Sequence, residues 1–244
     1  MDIRKISNRE CATCAIRHNT LCAKCEGEEL DVLNTMKYFR SYEAGQNVVW
    51  AGDRMDFVAT ISSGVASMNQ TLEDGRTQMV GLLLTNDFMG HPGRELAPFD
   101  VVATTDITLC CFRKKAFEAT LVEIPHVAQR LLQMTMSELD AAREWMLLLG
   151  RKTAREKIAS LLVIIARRTA KADVDADNGS IVFDLPLTRV AMSDYLGLTL
   201  ETVSRQITSL RKAGIISIEN KRHITAPDFR KLVAVSGGDL KEYA

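Results

Sequence analysis

Four cysteines stand within the first 25 residues, Cys11, Cys14, Cys22 and Cys25, spaced C-x2-C-x7-C-x2-C. Thiolates two residues apart can both reach one metal atom or one iron–sulfur cluster, because a tight turn brings their sulfurs together. Two such pairs nearly surround it. The segment has too few apolar residues to fold without a staple. An iron–sulfur cluster or a structural zinc knuckle is therefore the expected chemistry, ahead of disulfides or unrelated thiols. The four histidines, His18, His91, His126 and His223, lie at no fixed ligand spacing from one another and read as surface or locally bonded side chains.

A second chemistry lies far downstream. From Leu187 the sequence runs LTRVAMSDYLGLTLETVSRQITSLRKAGIISIENKRHIT, punctuated as two helices meeting at a tight turn. Thr188 can cap the first helix, with Val190, Ala191 and Leu196 turned inward. Gly197 allows the left-handed backbone that ends it, and Leu198 packs into the angle. Thr199 caps the second helix, whose Val203, Ile207 and Leu210 recur at helical spacing. Gly214 closes that helix, and 215–218 and 223–225 are expected to pair as a wing around Glu219-Asn220-Lys221-Arg222. With the apolar face so fixed, Glu201, Thr202, Ser204, Arg205 and Thr208 point outward, at the end of a recognition helix that reaches base edges in the major groove of double-stranded DNA. Arg205 can donate twice to guanine O6 and N7, Glu201 can accept from cytosine N4, and Ser204 can bond a base or touch a thymine methyl. A phosphate contact would also suit Arg205, and Glu201 can balance the helix dipole or orient Arg205. Between residues 186 and 232, Arg189, Arg205, Arg211, Lys212, Lys221, Arg222, Arg230 and Lys231 face only four anions, Asp194, Glu201, Glu219 and Asp228. Any DNA-facing surface is expected there, although the whole chain has no net charge.

The elements that must position these residues follow from the rest of the 244-residue chain, whose 46% hydrophobic and 25% charged residues suit globular domains with buried cores. Nothing approaches twenty uninterrupted apolar residues, and the start, MDIRKISNRE, has no apolar stretch of the secretory kind. A cytoplasmic protein off the membrane is expected, where thiols stay reduced. Residues 31–118 read as short strands with glycine-marked turns, an all-β roll or barrel. Asp74-Gly75, between 65–72 and 77–84, signals a hairpin. Pro125 opens a long helix running to about Leu149, ended by Gly150. Ala128, Leu132, Thr135, Leu139, Ala142, Met146 and Leu149 form one 4-3 stripe along it. Val127, Leu131, Met134, Glu138, Ala141, Trp145 and Leu148 form another. Two adjoining stripes need two neighbours, so one is expected on the β unit and the other on a second chain, giving a homodimer. Thr153-Ala154-Arg155-Glu156 is a capping box opening a further helix to about Ala170, with Ile158, Leu161, Leu162 and Ile165 buried. The polar ADVDADNGS stretch reads as a surface loop, and 180–185 as a strand.

Leu198-Thr199-Leu200-Glu201-Thr202-Val203-Ser204-Arg205 resembles the recognition helix of the CRP/FNR superfamily of bacterial transcription regulators. The order of β-roll, long helix and winged helix-turn-helix is similar to that superfamily across almost the whole chain. The E-x-x-S-R pattern at 201, 204 and 205, with amino-terminal cysteines, resembles the oxygen-sensing FNR branch. The resemblance implies an α+β fold with a cyclic-nucleotide-binding-like β-roll. It divides the chain into a cysteine-rich sensor segment (1–28), β-roll (29–123), dimerisation helix (124–150) and DNA-binding domain (151–244). It also implies a [4Fe–4S] cluster on three amino-terminal cysteines and one from the roll, whose loss to oxygen abolishes the dimer that reads TTGAT-type half-sites, with RNA polymerase as a further partner and genes of low-oxygen metabolism as targets.

The chain departs from the family pattern in having four amino-terminal cysteines where three suffice. C-x2-C-x7-C, a spacing seen in related regulators, selects Cys11, Cys14 and Cys22 and leaves Cys25 as a substitute for Cys22. The roll ligand has two candidates, and strand alternation separates them. Ala103, Ile107, Leu109 and Cys111 share the apolar parity, whereas Asp106, Thr108 and Cys110 share the other; Cys111 is expected in the core and Cys110 as the fourth ligand. The superfamily's Gly-Glu and Arg-Ser/Thr motifs for a cyclic nucleotide are not visible, since His91 follows Gly90 and PFDVVATT has no arginine. Cyclic nucleotide is not expected. Nor is an enzyme, for no phosphate-cradling glycine loop or Ser/His/Asp arrangement is visible. A zinc-stabilised regulator answering a small molecule or redox signal is the alternative.

Overall fold

The computed structural model describes residues 10–169 and 179–238. The expected polar loop lies mostly at 170–178, outside them. The chain divides into two compact units, meeting between Ala141 and Ala142.

In the first unit, single 3-10 turns at Cys11–Thr13 and Arg17–Asn19 lead into helix α1 (Glu28–Met36). Eight strands follow: β1 (Lys37–Tyr42), β2 (Asn47–Val49), β3 (Phe57–Ser63), β4 (Ala66–Thr71), β5 (Thr77–Leu83), β6 (Phe88–Met89), β7 (Asp100–Ala103) and β8 (Ile107–Arg113). They form two antiparallel sheets, ordered β1-β8-β3-β6 and β2-β7-β4-β5. The β4–β5 hairpin forms as expected. Gly75 adopts φ 85°, and Asp74 accepts from the Arg76 N–H. Two segments expected as strands are helical: α1, and α2 (Lys114–Glu123) at the end of the roll. In α1, Glu28, Glu29 and Asp31 sit in the first turn, where the helix dipole favours anions, and Leu30 and Leu33 bury at helical spacing.

The β1-β8-β3-β6 sheet is covered on both faces, which is why β3 is buried at five successive positions. Phe57, Ala59, Ile61, Leu109 and Cys111 face the roll interior, with Met55, Leu83, Met89 and Val101. Val58 and Phe112 face the other way, into a second core of Leu21, Leu30, Leu33, Phe117, Ile124 and Val127. The cysteine segment is part of that second core.

Helix α3 (Pro125–Arg151) is continuous across the division of the chain. It does not stop at Gly150. The Lys152 N–H still reaches Leu148 O at 3.3 Å, and the break is set by the capping box that opens α4 (Ala154–Thr169). There Glu156 accepts from the Thr153 N–H at 2.7 Å and the Glu156 N–H donates to Thr153 Oγ1 at 3.4 Å. No helix among the described residues is long and apolar enough to cross a membrane.

The second unit is built on α4, whose Ile158, Leu161, Leu162 and Ile165 are fully buried. Around it lie β9 (Ile181–Asp184), α5 (Arg189–Leu196), α6 (Leu200–Lys212), β10 (Ser217–Glu219), β11 (His223–Ala226) and α7 (Phe229–Val235), with sheet order β10-β11-β9.

Candidate functional site

Each C-x-x-C pair closes as a tight turn: the Cys14 N–H donates to Cys11 O at 3.3 Å and the Cys25 N–H to Cys22 O at 3.1 Å. The Cys11 N–H also donates to Asn34 Oδ1 of α1 at 3.0 Å, which ties the start of the segment to the fold. Cys11 and Cys25 are buried, while Cys14, Cys22 and Cys110 are partly so. Adjacent on β8, Cys110 and Cys111 point to opposite faces. Cys111 is fully enclosed inside the roll, and Cys110 packs against the core that contains the amino-terminal cysteines.

The thiols influence one another through charge. Burial raises the Cys110 thiol well above its ordinary range, and charge on Cys22, Cys11, Cys111 and Cys14 adds to that rise. Burial also pushes Cys22 up to about 12, reinforced by Cys11, Cys25 and Cys14, with a Thr20 hydrogen bond opposing. Cys11 is raised by burial, against the pull of the Lys37 ammonium and with Cys14 adding. The Cys25 thiol rises to about 11 through burial and the Glu29 carboxylate, with Arg17 opposing and Cys11 adding. Cys11, Cys14, Cys22, Cys25 and Cys110 thus share one electrostatic neighbourhood. Crowded, buried thiols hold their protons until a cation replaces them, so this donor set fits a positively charged inorganic centre. Among the described residues, no group of three or more His, Cys, Asp or Glu side chains is drawn together tightly enough to hold a single metal ion.

The first turns of α3 grip this segment. Arg130 donates through Nε to Thr20 O at 3.3 Å and through Nη2 to Asn19 O at 3.5 Å, just before Cys22. Lys24 donates to Gln129 Oε1 at 3.4 Å, and His126 Nδ1 lies 3.1 Å from Glu29 Oε2. Residues 126, 129 and 130 share one helix face. Val127 and Leu131 of the second stripe pack into the adjoining core. The first stripe is left open: Leu132 is 62% exposed, Leu139 43% and Met146 72%, at seven-residue intervals, with Met136 and Leu147 beside them.

At the other candidate site, Thr188 caps α5 by accepting from the Ala191 N–H, and Gly197 ends it at φ 61°, ψ 43°. Thr199 caps α6 by accepting from the Thr202 N–H. Val203, Ile207 and Leu210 are buried, which leaves Glu201, Ser204 and Arg205 exposed. Thr202 and Thr208 are half-buried; Thr202 takes part in the cap and Thr208 donates to Ser204 O at 2.9 Å. Arg189 lies back on its own helix, with Nη1 3.4 Å from Met192 Sδ, and burial lowers its pKa. Val190 is exposed, contrary to expectation, because α5 turns Met192, Ser193 and Leu196 inward and Val190 falls outside that stripe. Asn220 and Lys221, both at positive φ, make the tight turn between β10 and β11.

Two family descriptions match the chain: a cyclic nucleotide-binding domain over residues 39–123 and a Crp-like helix-turn-helix domain over residues 156–235. The chain is 60% identical over 229 residues to the transcriptional activator protein FnrL of Cereibacter sphaeroides, covering 94% of this chain and 92% of that protein. It belongs to the CRP/FNR family of DNA-binding transcription regulators. This regulator is also 41% identical over 222 residues to a probable transcriptional activator of Rhizobium leguminosarum bv. viciae, covering 91% of each chain. Among solved structures it is similar to FixK2 from Bradyrhizobium japonicum, with a TM-score of 0.74 and 30% identity over 83% of this chain and 98% of that one. Its relatives are transcription regulators, not enzymes.

Sequence reasoning about this CRP/FNR regulator missed the α3 grip. No local pattern marks Arg130 or His126, because their partners lie about a hundred residues away, at Thr20 and Glu29. The available signal is the presence of polar side chains at 126, 129 and 130 on a single face of the helix.

Proposed function

We propose that this chain is a cytoplasmic transcriptional activator of the FNR type, which pairs as a homodimer on double-stranded DNA when a [4Fe–4S] cluster is held by Cys11, Cys14, Cys22 and Cys110. The observation that carries this reading is the packing of Cys110, from β8, against the core that holds Cys11 and Cys25 and on which Cys22 also packs. When bound, the cluster supplies an oxygen-labile link among the four thiolates. Cys110 presents its sulfur from a rigid strand, while the three amino-terminal sulfurs sit on a segment of short turns that needs a staple. Arg130, Gln129 and His126 pass the position of that segment to α3. The open stripe at Leu132, Leu139 and Met146 then pairs with its copy, and two α6 helices meet successive major grooves about one DNA turn apart.

Glu201, Ser204 and Arg205 read TTGAT-like half-sites, with Thr202, Thr208 and Arg189 in supporting contacts, and genes of low-oxygen metabolism respond through RNA polymerase. No cyclic nucleotide takes part. Anaerobic purification followed by visible absorption and iron and sulfide analysis tests the centre; about four of each per chain is the expected result. A colourless protein with one zinc per chain overturns the oxygen-sensor reading and leaves DNA binding intact.

A further inference from the structure

The Cys11 N–H donates to Asn34 Oδ1 at 3.0 Å, across 23 positions of sequence. That oxygen is itself held. The Lys37 ammonium donates to Asn34 Oδ1 and, at 3.3 Å, to the Asn34 backbone carbonyl. An amide oxygen has two lone pairs and can take both donors at once. Asn34 lies in the last turn of α1 and Lys37 opens β1, so one helix-to-strand junction supplies both groups. Register decides which way Lys37 points. In the antiparallel β1–β8 pair Lys37 stands opposite Phe112, and Phe39 opposite Cys110. Directly opposed side chains share a face, so Lys37 is on the outer face of the sheet with Phe112 and Cys110, the face that packs against Cys11 and Cys25. Asn34 and Lys37 are both half-buried, and among the described residues no carboxylate forms an ion pair with Lys37. Its ammonium favours the Cys11 thiolate over the thiol.

We propose that Asn34 and Lys37 are positioning residues for the inorganic centre: the amide oxygen fixes the Cys11 peptide against the outer face of the sheet, and the ammonium offsets the negative charge that the gathered thiolates bring there. The charge role rests on the cluster reading above, whereas the anchoring of Cys11 is a property of the chain without any centre. Thiolates must be assembled before they can be bridged, and like charges oppose that assembly. A half-buried cation with no carboxylate of its own opposes the repulsion more strongly than one in open water. Groups that orient a ligand from behind carry a large share of a site's affinity, and here one such group reaches the first cysteine of the segment. Neither Asn34 nor Lys37 need touch the centre for this.

The test compares Asn34→Ala and Lys37→Met with Asn34→Asp, which keeps the accepting oxygen, and Lys37→Arg, which keeps the charge. The first measurement is made on the reduced, metal-free chain: the rate at which iodoacetamide alkylates the buried Cys11 under native conditions, read by peptide mass spectrometry. Asn34→Ala should raise that rate roughly 5- to 150-fold, because a Cys11 N–H without its acceptor favours the opened segment. Asn34→Asp should stay near the parent. Alanine is the stronger helix former, so α1 is retained. The second measurement is made on anaerobically reconstituted protein: the chelator concentration that removes half the iron, followed by visible absorption. It should fall roughly 10- to 100-fold in Asn34→Ala and Lys37→Met and stay near the parent in Lys37→Arg. Unchanged alkylation of Cys11 in Asn34→Ala overturns the anchor. Equal iron retention in Lys37→Met and the parent overturns the charge role. A parent chain that takes up no iron overturns the cluster reading and the charge role with it, and the alkylation rates then decide the anchor alone.

Discussion

Replacing Leu132 with alanine isolates the proposed dimer stripe from the rest of the molecule. Leu132 is 62% exposed in the single chain, with Leu139 and Met146 one and two heptads further along the same line. Full burial of a leucine side chain contributes about 1.5–3 kcal/mol, so covering the exposed part of Leu132 is worth roughly 1–2 kcal/mol in each chain. A twofold axis doubles the effect to roughly 2–4 kcal/mol, a rise of about 30- to 1,000-fold in the dimer dissociation constant. Alanine is the better helix former, and the site is open in one chain, so the monomer loses no stability. Sedimentation equilibrium of the anaerobically prepared variant measures the constant directly. Ser137→Ala, on the opposite side of α3, is the control and should leave it unchanged. A Leu132→Ala chain that dimerises as tightly as its parent refutes this use of the stripe.

Cys22→Ser and Cys25→Ser should differ in kind. The first should lose iron, whereas the second should keep it and melt at a lower temperature, because a hydroxyl in the fully buried Cys25 site costs about 1–3 kcal/mol. Equal iron loss in both would remove the distinction. Arg205→Ala should weaken binding by about 1–3 kcal/mol at one base pair of each half-site and relax preference there. A uniform loss on all sequences, read in a competition binding assay, would make Arg205 a phosphate contact. Arg130→Ala removes two donors to the Asn19 and Thr20 carbonyls and should leave the iron content of freshly made protein intact while raising the dimer dissociation constant; an unaltered monomer–dimer balance would count against the grip.

Much of this protein was legible in one dimension because the relevant physics is local. The Asp74-Gly75 hairpin, the Thr153–Glu156 capping box and the Thr188, Gly197 and Thr199 boundaries of the helix pair all depend on a few consecutive residues, and each forms as read. Strand alternation likewise sufficed to set Cys111 inside the roll, opposite Cys110. Where apolar residues are the only local guide, expectation and structure differ: the nine residues of α1, with two buried leucines, fit either period and fold as a helix, and Val190 lies outward because α5 has Met192 for the inward place. Folding in three dimensions decided what brings distant segments together. The approach of Cys110 to the amino-terminal thiols, the hold of Arg130 on the Thr20 carbonyl and the stacking of Trp145 on Tyr195 join residues fifty or more positions apart. Such contacts depend on the packing of whole sheets and helices, so no spacing within a short window encodes them.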